Sequence, residues 1–145
     1  MHRFTSIALA GLLVLGLAAG TAASAQGALR EAGSVQAALG IMSRAVAASG
    51  QLISAHRYDE LPRESHEVEA GLTALEQGLG GRPSELRSKL EPLIGKARIA
   101  SSAMSEAVAS HRDSMLPLAQ RQLADAVNAI IASFPPELRP AGGGS

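Results

Sequence analysis

The chain has 145 residues, with 13 Lys plus Arg against 13 Asp plus Glu, no Cys and only 2% aromatic residues. This length suits one domain, and the lack of Cys excludes a disulfide scaffold, an iron–sulfur cluster, a Cys-ligated zinc site and a thiol nucleophile. Nucleic-acid binding needs a basic surface for the phosphates and aromatic rings for unpaired bases. We therefore expect no nucleic-acid partner.

Residues 1–25 have the pattern of a secretory signal peptide. His2 and Arg3 form a basic start, residues 7–19 are uncharged and apolar, and an Ala-Ser-Ala cleavage motif stands immediately before Gln26. The apolar stretch is shorter than the roughly 20 residues that a membrane-spanning helix needs. We therefore expect an exported product, periplasmic or secreted, with no membrane span after cleavage.

The rest of the chain has the hydrophobic periodicity of helices. Apolar residues recur at alternating steps of three and four, which places them on one helical face. Four such seams predict helices at about 28–57, 61–79, 84–111 and 115–134. Short connections favour antiparallel neighbours, so the predicted fold is all-α, an up-down-up-down four-helix bundle. The predicted organisation is a signal peptide at 1–25, a bundle domain at 26–134 and a flexible Pro/Gly-rich tail at 135–145.

The predicted breaks between helices contain typical helix-starting residues. Asp59 is the expected N-terminal cap of helix 2. The expected N-terminal cap of helix 4 is Asp113 or Ser114. Pro62 and Pro117 lie in the first turns, where the missing N–H of proline costs little.

Two further expectations concern a proline inside helix 3 and internal repeats. Pro92 lies about two turns into helix 3 and should kink that helix or delay its start. The sequence shows no internal repeat clear enough to use.

One end of the predicted bundle is polar. The seam residues at the end of helices 1 and 3 and the start of helices 2 and 4 are His56, His111, Ser65 and Gln120. The corresponding seam positions at the opposite end are all apolar: Val35, Leu79, Leu86 and Phe134. This contrast predicts a small polar cavity at the first end.

The histidines at this end are candidate metal ligands. His56 and His111 are predicted to face each other inside the bundle, with Met115, His66 and Gln120 as accessories. Imidazole nitrogen suits copper, zinc and nickel, and a thioether suits reduced copper. The alternative is a structural role, in which each histidine caps the last carbonyls of its helix.

No motif for catalysis is present. A di-iron bundle needs Glu three residues before His, but Ile53, Arg63 and Val108 occupy those positions. The His-Glu-x-x-His, Gly-x-Ser-x-Gly and phosphate-loop patterns are absent from the sequence. We therefore expect a protein that is not an enzyme.

The outline resembles exported four-helix haem proteins of the cytochrome c′ and cytochrome b562 type. The resemblance is architectural, because the chain lacks Cys-x-x-Cys-His and has no His in helix 4. It implies the fold and no haem ligand.

Two function classes follow from these patterns. The first is an exported, non-enzymatic binding or interaction protein, whose partner is another protein or a second copy of the chain. The alternative is a module that binds copper, zinc, nickel or another small ligand at the polar end through His56, His111, Met115 and His66.

Overall fold

The structure is a computed structural model that describes the backbone of residues 11–141 and the side chains of residues 33–141. The first ten residues of the predicted signal peptide and the last four of the tail lie outside the described residues. The chain divides into two units, one up to Gly33 and one from Ser34 onward. The described part of the first unit is helical, and the second unit is the bundle.

Four helices account for nearly all regular structure in residues 11–141, and that part of the chain contains no strand. They are α1 at Gly11–Ser54, α2 at Leu61–Gly78, α3 at Ser84–Ala109 and α4 at Leu116–Ala132. The all-α prediction is confirmed, and helices 2 to 4 lie within about two residues of their predicted bounds. The described part of α1 begins well before residue 28, its predicted start. No helix of the described residues is long and apolar enough to cross a membrane.

Side-chain contacts show that neighbouring helices are antiparallel. Gly78, at the end of α2, lies against Val35 in α1. Ser101, late in α3, donates a hydrogen bond to the carbonyl of Ser65, early in α2. Gln120, early in α4, donates to the carbonyl of Val46 in α1. Helix α3 also packs extensively on α4. The four helices therefore form a closed up-down-up-down bundle, as the periodicity predicts.

The predicted seams form the core. Fully buried side chains come from all four helices, and the apolar end is closed by residues that the periodicity places there. Helices α1 and α2 approach each other closely where Gly71 lies against the buried Met42. An added Cβ at Gly71 would lie 2.5 Å from Cγ of Met42, so this position has no room for a side chain. The largest buried side chains are Phe134, Leu39, Met42, Leu61, Leu72, Leu75, Leu90, Met104, Leu116, Leu123 and Ile130.

Helix α1 ends in a Schellman motif. The backbone N–H of Arg57 donates to the carbonyl of Leu52 at 2.9 Å, and that of His56 donates to Ile53 at 3.1 Å. His56 has a φ of +56°, the left-handed conformation that this motif requires of its closing residue. Glycine usually occupies that position, and here histidine does.

Helix α3 ends in the same way. The N–H of Arg112 donates to Ala107 at 2.8 Å, that of His111 donates to Val108 at 3.2 Å, and His111 has a φ of +53°. Each turn continues through one short 3-10 segment into Leu-Pro, which begins the next helix. The chain therefore does contain a repeat, with a shift of 55 residues, and its shared His-Arg and Leu-Pro pairs build both turns.

The predicted caps of α2 and α4 are wrong. The residues that precede α2 and α4 are Glu60 and Met115, and none of Asp59, Asp113 and Ser114 caps an α-helix, because each lies in a 3-10 segment. Pro92 is exposed inside α3 and does not delay its start at Ser84. The expected prolines in the first turns of α2 and α4 are confirmed.

Candidate functional site

The two histidines of the polar end are exposed and lie in the turns, not on the inner faces of the helices. The inward placement predicted for His56 and His111 is therefore wrong, because the left-handed residue ends the helical periodicity before either side chain can face the core. The imidazole of His56 shares a 2.6 Å hydrogen bond between Nδ1 and the hydroxyl of Tyr58. The two rings are edge-on, with centroids 5.7 Å apart. Tyr58 itself packs against the core.

The remaining predicted metal ligands do not join these histidines in a described cluster. His66 is exposed on α2, and Met115 is 49% exposed in the second turn. His111 and Met115 would share a helical face only if α3 ran past Arg112, but α3 ends at Ala109. Among the residues that the structure describes, no three His, Asp or Glu side chains are grouped so that they could hold a metal ion. Metal binding at this end stays a prediction.

A polar pocket of about 160 Å³ lies between α2 and α3 near the same end of the bundle. We call it the serine pocket, and its lining residues are Pro62, Ser65, His66, Glu69, Ser101, Ser102 and Ser105. Ser65 is only 5% exposed, and its hydroxyl has no hydrogen-bond partner. Ser101 is also buried, and its hydroxyl donates to the carbonyl of Ser65 at 3.4 Å. The pocket therefore combines hydroxyl groups from two helices with one imidazole and one carboxylate.

An ion-pair network borders the serine pocket and joins α2 to α3. Arg98 contacts Glu76 through two nitrogens, at 2.5 and 3.1 Å, and its Nε lies 3.3 Å from Oε2 of Glu69. The hydrogen bonds from Arg98 hold the pKa of Glu76 below its usual value, and the same bonds raise the pKa of Arg98. Glu76 therefore stays ionised near neutral pH, and the guanidinium of Arg98 compensates part of the negative charge that it shares with Glu69.

An apolar groove of about 460 Å³ lies on the other side of α3, between α3 and α4. We call it the α3–α4 groove, and its lining residues are Leu93, Lys96, Ile99, Ala100, Gln122, Asp125, Ala126 and Ala129. Ile99 is 72% exposed, the most exposed large apolar side chain among those described. Lys96 on α3 and Asp125 on α4 give the groove one charge of each sign. An exposed apolar groove with a mixed polar rim is typical of a protein contact surface.

The sequence patterns found part of these two sites. The polar end and Ser65 follow from the seams, and His66 from its place in the sequence at that end, but Glu69 and the serines of α3 do not follow from either. The signal for them is the spacing of Ser101 and Ser105, which share a helical face next to the apolar seam. Ile99 carries its own signal, since it is a large apolar residue between the seam positions Ala97 and Ala100 and points away from the core.

No known protein family, curated protein or solved structure matches this chain.

Proposed function

We propose that the mature chain is an exported, non-enzymatic interaction protein that works as a homodimer, with the α3–α4 grooves of two copies facing each other. The observation that carries this proposal is the exposure of Ile99 in an apolar groove of about 460 Å³. When a partner removes such apolar surface from water, the complex is stabilised by roughly 25 cal/mol for each Å² buried. A second copy supplies a groove of the same shape and chemistry.

The charges at the groove favour a second copy as the partner. Lys96 lines the α3 wall and Asp125 lines the α4 wall. Within residues 33–141 of a single protomer, neither Lys96 nor Asp125 forms an ion pair. A two-fold axis along the groove would place α3 of one copy on α4 of the other, so each Lys96 would meet an Asp125 across the interface. Interfaces with two-fold symmetry require this kind of self-complementary surface.

Sedimentation of residues 26–145 tests the dimer. We expect a dimer for the unaltered protein and a monomer for Ile99→Glu, because the substitution would place two carboxylates in an apolar contact. The matched control is Leu118→Glu, since Leu118 is 54% exposed on α4 and lies outside the groove. A monomeric unaltered protein, or loss of the dimer in the control alone, would contradict the proposal.

A charge exchange tests the predicted pairing itself. Lys96→Asp gives a groove with two negative charges, and Asp125→Lys gives one with two positive charges. Each variant alone should be monomeric, and an equimolar mixture should form a one-to-one heterodimer, because both interfacial positions again pair opposite charges, one pair with the original signs and one with the signs exchanged. If the mixture stays monomeric while the unaltered protein is a dimer, the two copies associate in another orientation.

The export part of the proposal rests on the signal-peptide pattern. Expression of the full chain in a bacterial host, followed by mass measurement of the periplasmic product, should give a chain that begins at Gln26. Retention of residues 1–25 in the membrane fraction would show that the segment is an anchor.

A further inference from the structure

We infer that the serine pocket binds a small uncharged polyol. This inference is independent of the dimer, because the pocket lies between α2 and α3 whereas the groove lies between α3 and α4. It begins with Ser65, a residue of the pocket lining whose buried hydroxyl has no partner. Leaving a buried polar group unsatisfied is unfavourable, and a ligand hydroxyl within reach of this oxygen would remove the cost.

The other groups of the pocket suit hydroxyls as ligands. The Ser101 hydroxyl already donates to the carbonyl of Ser65, so its oxygen still has lone pairs to accept a hydrogen bond. Glu69 receives Arg98 at Oε2, which leaves Oε1 as an acceptor. Ser102 and Ser105 each add a group that both donates and accepts. Vicinal hydroxyls match such a set, because each one also donates and accepts.

The charges of the pocket disfavour ionic ligands. An anion would face the carboxylate of Glu69, and a cation would compete with Arg98, which already pairs with that carboxylate. A metal ion would find only His66 and Glu69 as strong ligands in the pocket, and sites of two such ligands are incomplete. A neutral ligand with several hydroxyls fits this balance.

The volume sets the size of the ligand part that the pocket can surround. A water molecule occupies about 30 Å³ in the liquid, so a pocket of about 160 Å³ holds roughly five such units. One hydroxylated carbon takes approximately the space of one water. The pocket is therefore suited to a polyol of about five carbons or fewer, the range of the smallest sugar alcohols and sugars.

The test is a titration of isotope-labelled residues 26–145 with erythritol, followed through backbone amide NMR shifts. We expect saturable shifts confined to residues 62–69 and 101–105. Butane-1,4-diol is the matched probe, since it has the same carbon chain without the vicinal hydroxyls, and it should give no saturable shifts. The Ile99→Glu variant should bind erythritol as the unaltered protein does.

Two serine substitutions decide whether the pocket itself is responsible. Ser65→Ala should weaken erythritol binding at least about tenfold, because it removes the buried hydroxyl. Ser49→Ala is the control, since Ser49 is equally buried in α1 but its hydroxyl already donates to Ala45 at 2.8 Å. It should leave erythritol binding unchanged. Absence of saturable shifts up to roughly 100 mM erythritol, or unchanged binding by Ser65→Ala, would overturn the inference.

Discussion

The two turns at the polar end have the same backbone and different surroundings. Arg57 and Arg112 both have a φ of −97°, with ψ of 63° and 60°. Their side chains differ, because Arg57 forms an ion pair with Glu60 and the residue 55 positions after Glu60 is Met115. His56 is hydrogen-bonded to Tyr58, whereas the corresponding neighbour of His111 is Asp113.

This comparison separates the residues that determine the backbone of the turn from those that only add side-chain contacts to it. The residues shared by both turns set the backbone: histidine takes the left-handed position, and Leu-Pro begins the next helix with leucine in the core. The residues between them differ without changing the conformation. The side-chain pairs of the first turn are therefore additions to a geometry that the second turn reaches without them. Substitutions at matched positions test this conclusion.

The largest effect is expected at the two leucines that begin α2 and α4. Leu61 and Leu116 are both fully buried, so Leu61→Ala and Leu116→Ala should each lower the free energy of unfolding by about 2–5 kcal/mol. Urea unfolding measures both losses. Leu118→Ala, at an exposed position, should stay within about 0.5 kcal/mol of the unaltered protein. A small loss at only one of the two leucines would break the equivalence of the turns.

The next effect separates a glycine at a close contact between two helices from two glycines at open positions. Gly71→Ala should lower the free energy of unfolding by about 1 kcal/mol, because overpacking against Met42 outweighs the better helix propensity of alanine. Gly40 and Gly95, which are 55 residues apart, have nothing within 4 Å of an added Cβ. Alanine at either position should raise the free energy of unfolding by about 0.5–1 kcal/mol. A gain at all three positions in urea unfolding would show that α1 and α2 separate easily.

A stabilising effect is also expected at the histidines, smaller than the loss at Gly71. His111→Gly should raise the free energy of unfolding by about 0.5–1 kcal/mol, because glycine takes a positive φ without steric cost. His56→Gly should gain less, since it also loses the hydrogen bond to Tyr58. Thermal unfolding of the two variants side by side measures the difference. Equal gains would mean that this hydrogen bond contributes nothing to stability.

The smallest effect concerns pH and the network between α2 and α3. Because Arg98 lowers the pKa of Glu76, the pair stabilises the fold above the ordinary carboxyl pKa, and this contribution is lost as pH falls through the lowered value. Both side chains are partly exposed, so the contribution should be about 0.2–1 kcal/mol. Urea unfolding between pH 7 and acid should show a smaller pH-dependent loss for Glu76→Gln. An identical pH dependence in that variant would show that the pair is screened by water.

The sequence predicts the bundle well because periodicity reports a property shared by many residues. Helices 2 to 4 and the apolar end follow from it, with Val35, Leu79 and Phe134 buried as expected. The periodicity gives the wrong orientation for His56 and His111, because a single residue in the left-handed conformation ends the helix and changes the direction of the chain. Hydrophobic periodicity does not predict where such a residue occurs. The repeat is hard to recognise in the sequence, because the two turns need to share only a few residues to have the same backbone conformation.

The candidate sites are predicted less completely. Ser65 and His66 are recognisable from their position at the polar end. The pocket also depends on Ser101, which belongs to another helix, and on Glu69, which is held by an ion pair. Ile99 is visible as an apolar residue off the seam, but the groove requires the packing of α3 on α4. Such sites depend on which helix faces are neighbours, and one helix's periodicity does not contain that information.

The contact between Gln36 and the chain after α4 has a consequence for how the bundle could be reordered. The side chain of Gln36 lies 3.5 Å from the carbonyl of Glu137, so the beginning and the end of the bundle are neighbours. The connection between α2 and α3 is exposed at Gly80 and Gly81. A circular permutant that opens there and joins residue 139 to residue 34 by a short linker would place α3 and α4 before α1 and α2. Because both halves turn by the same device, the permuted chain should assemble the same core in the opposite order.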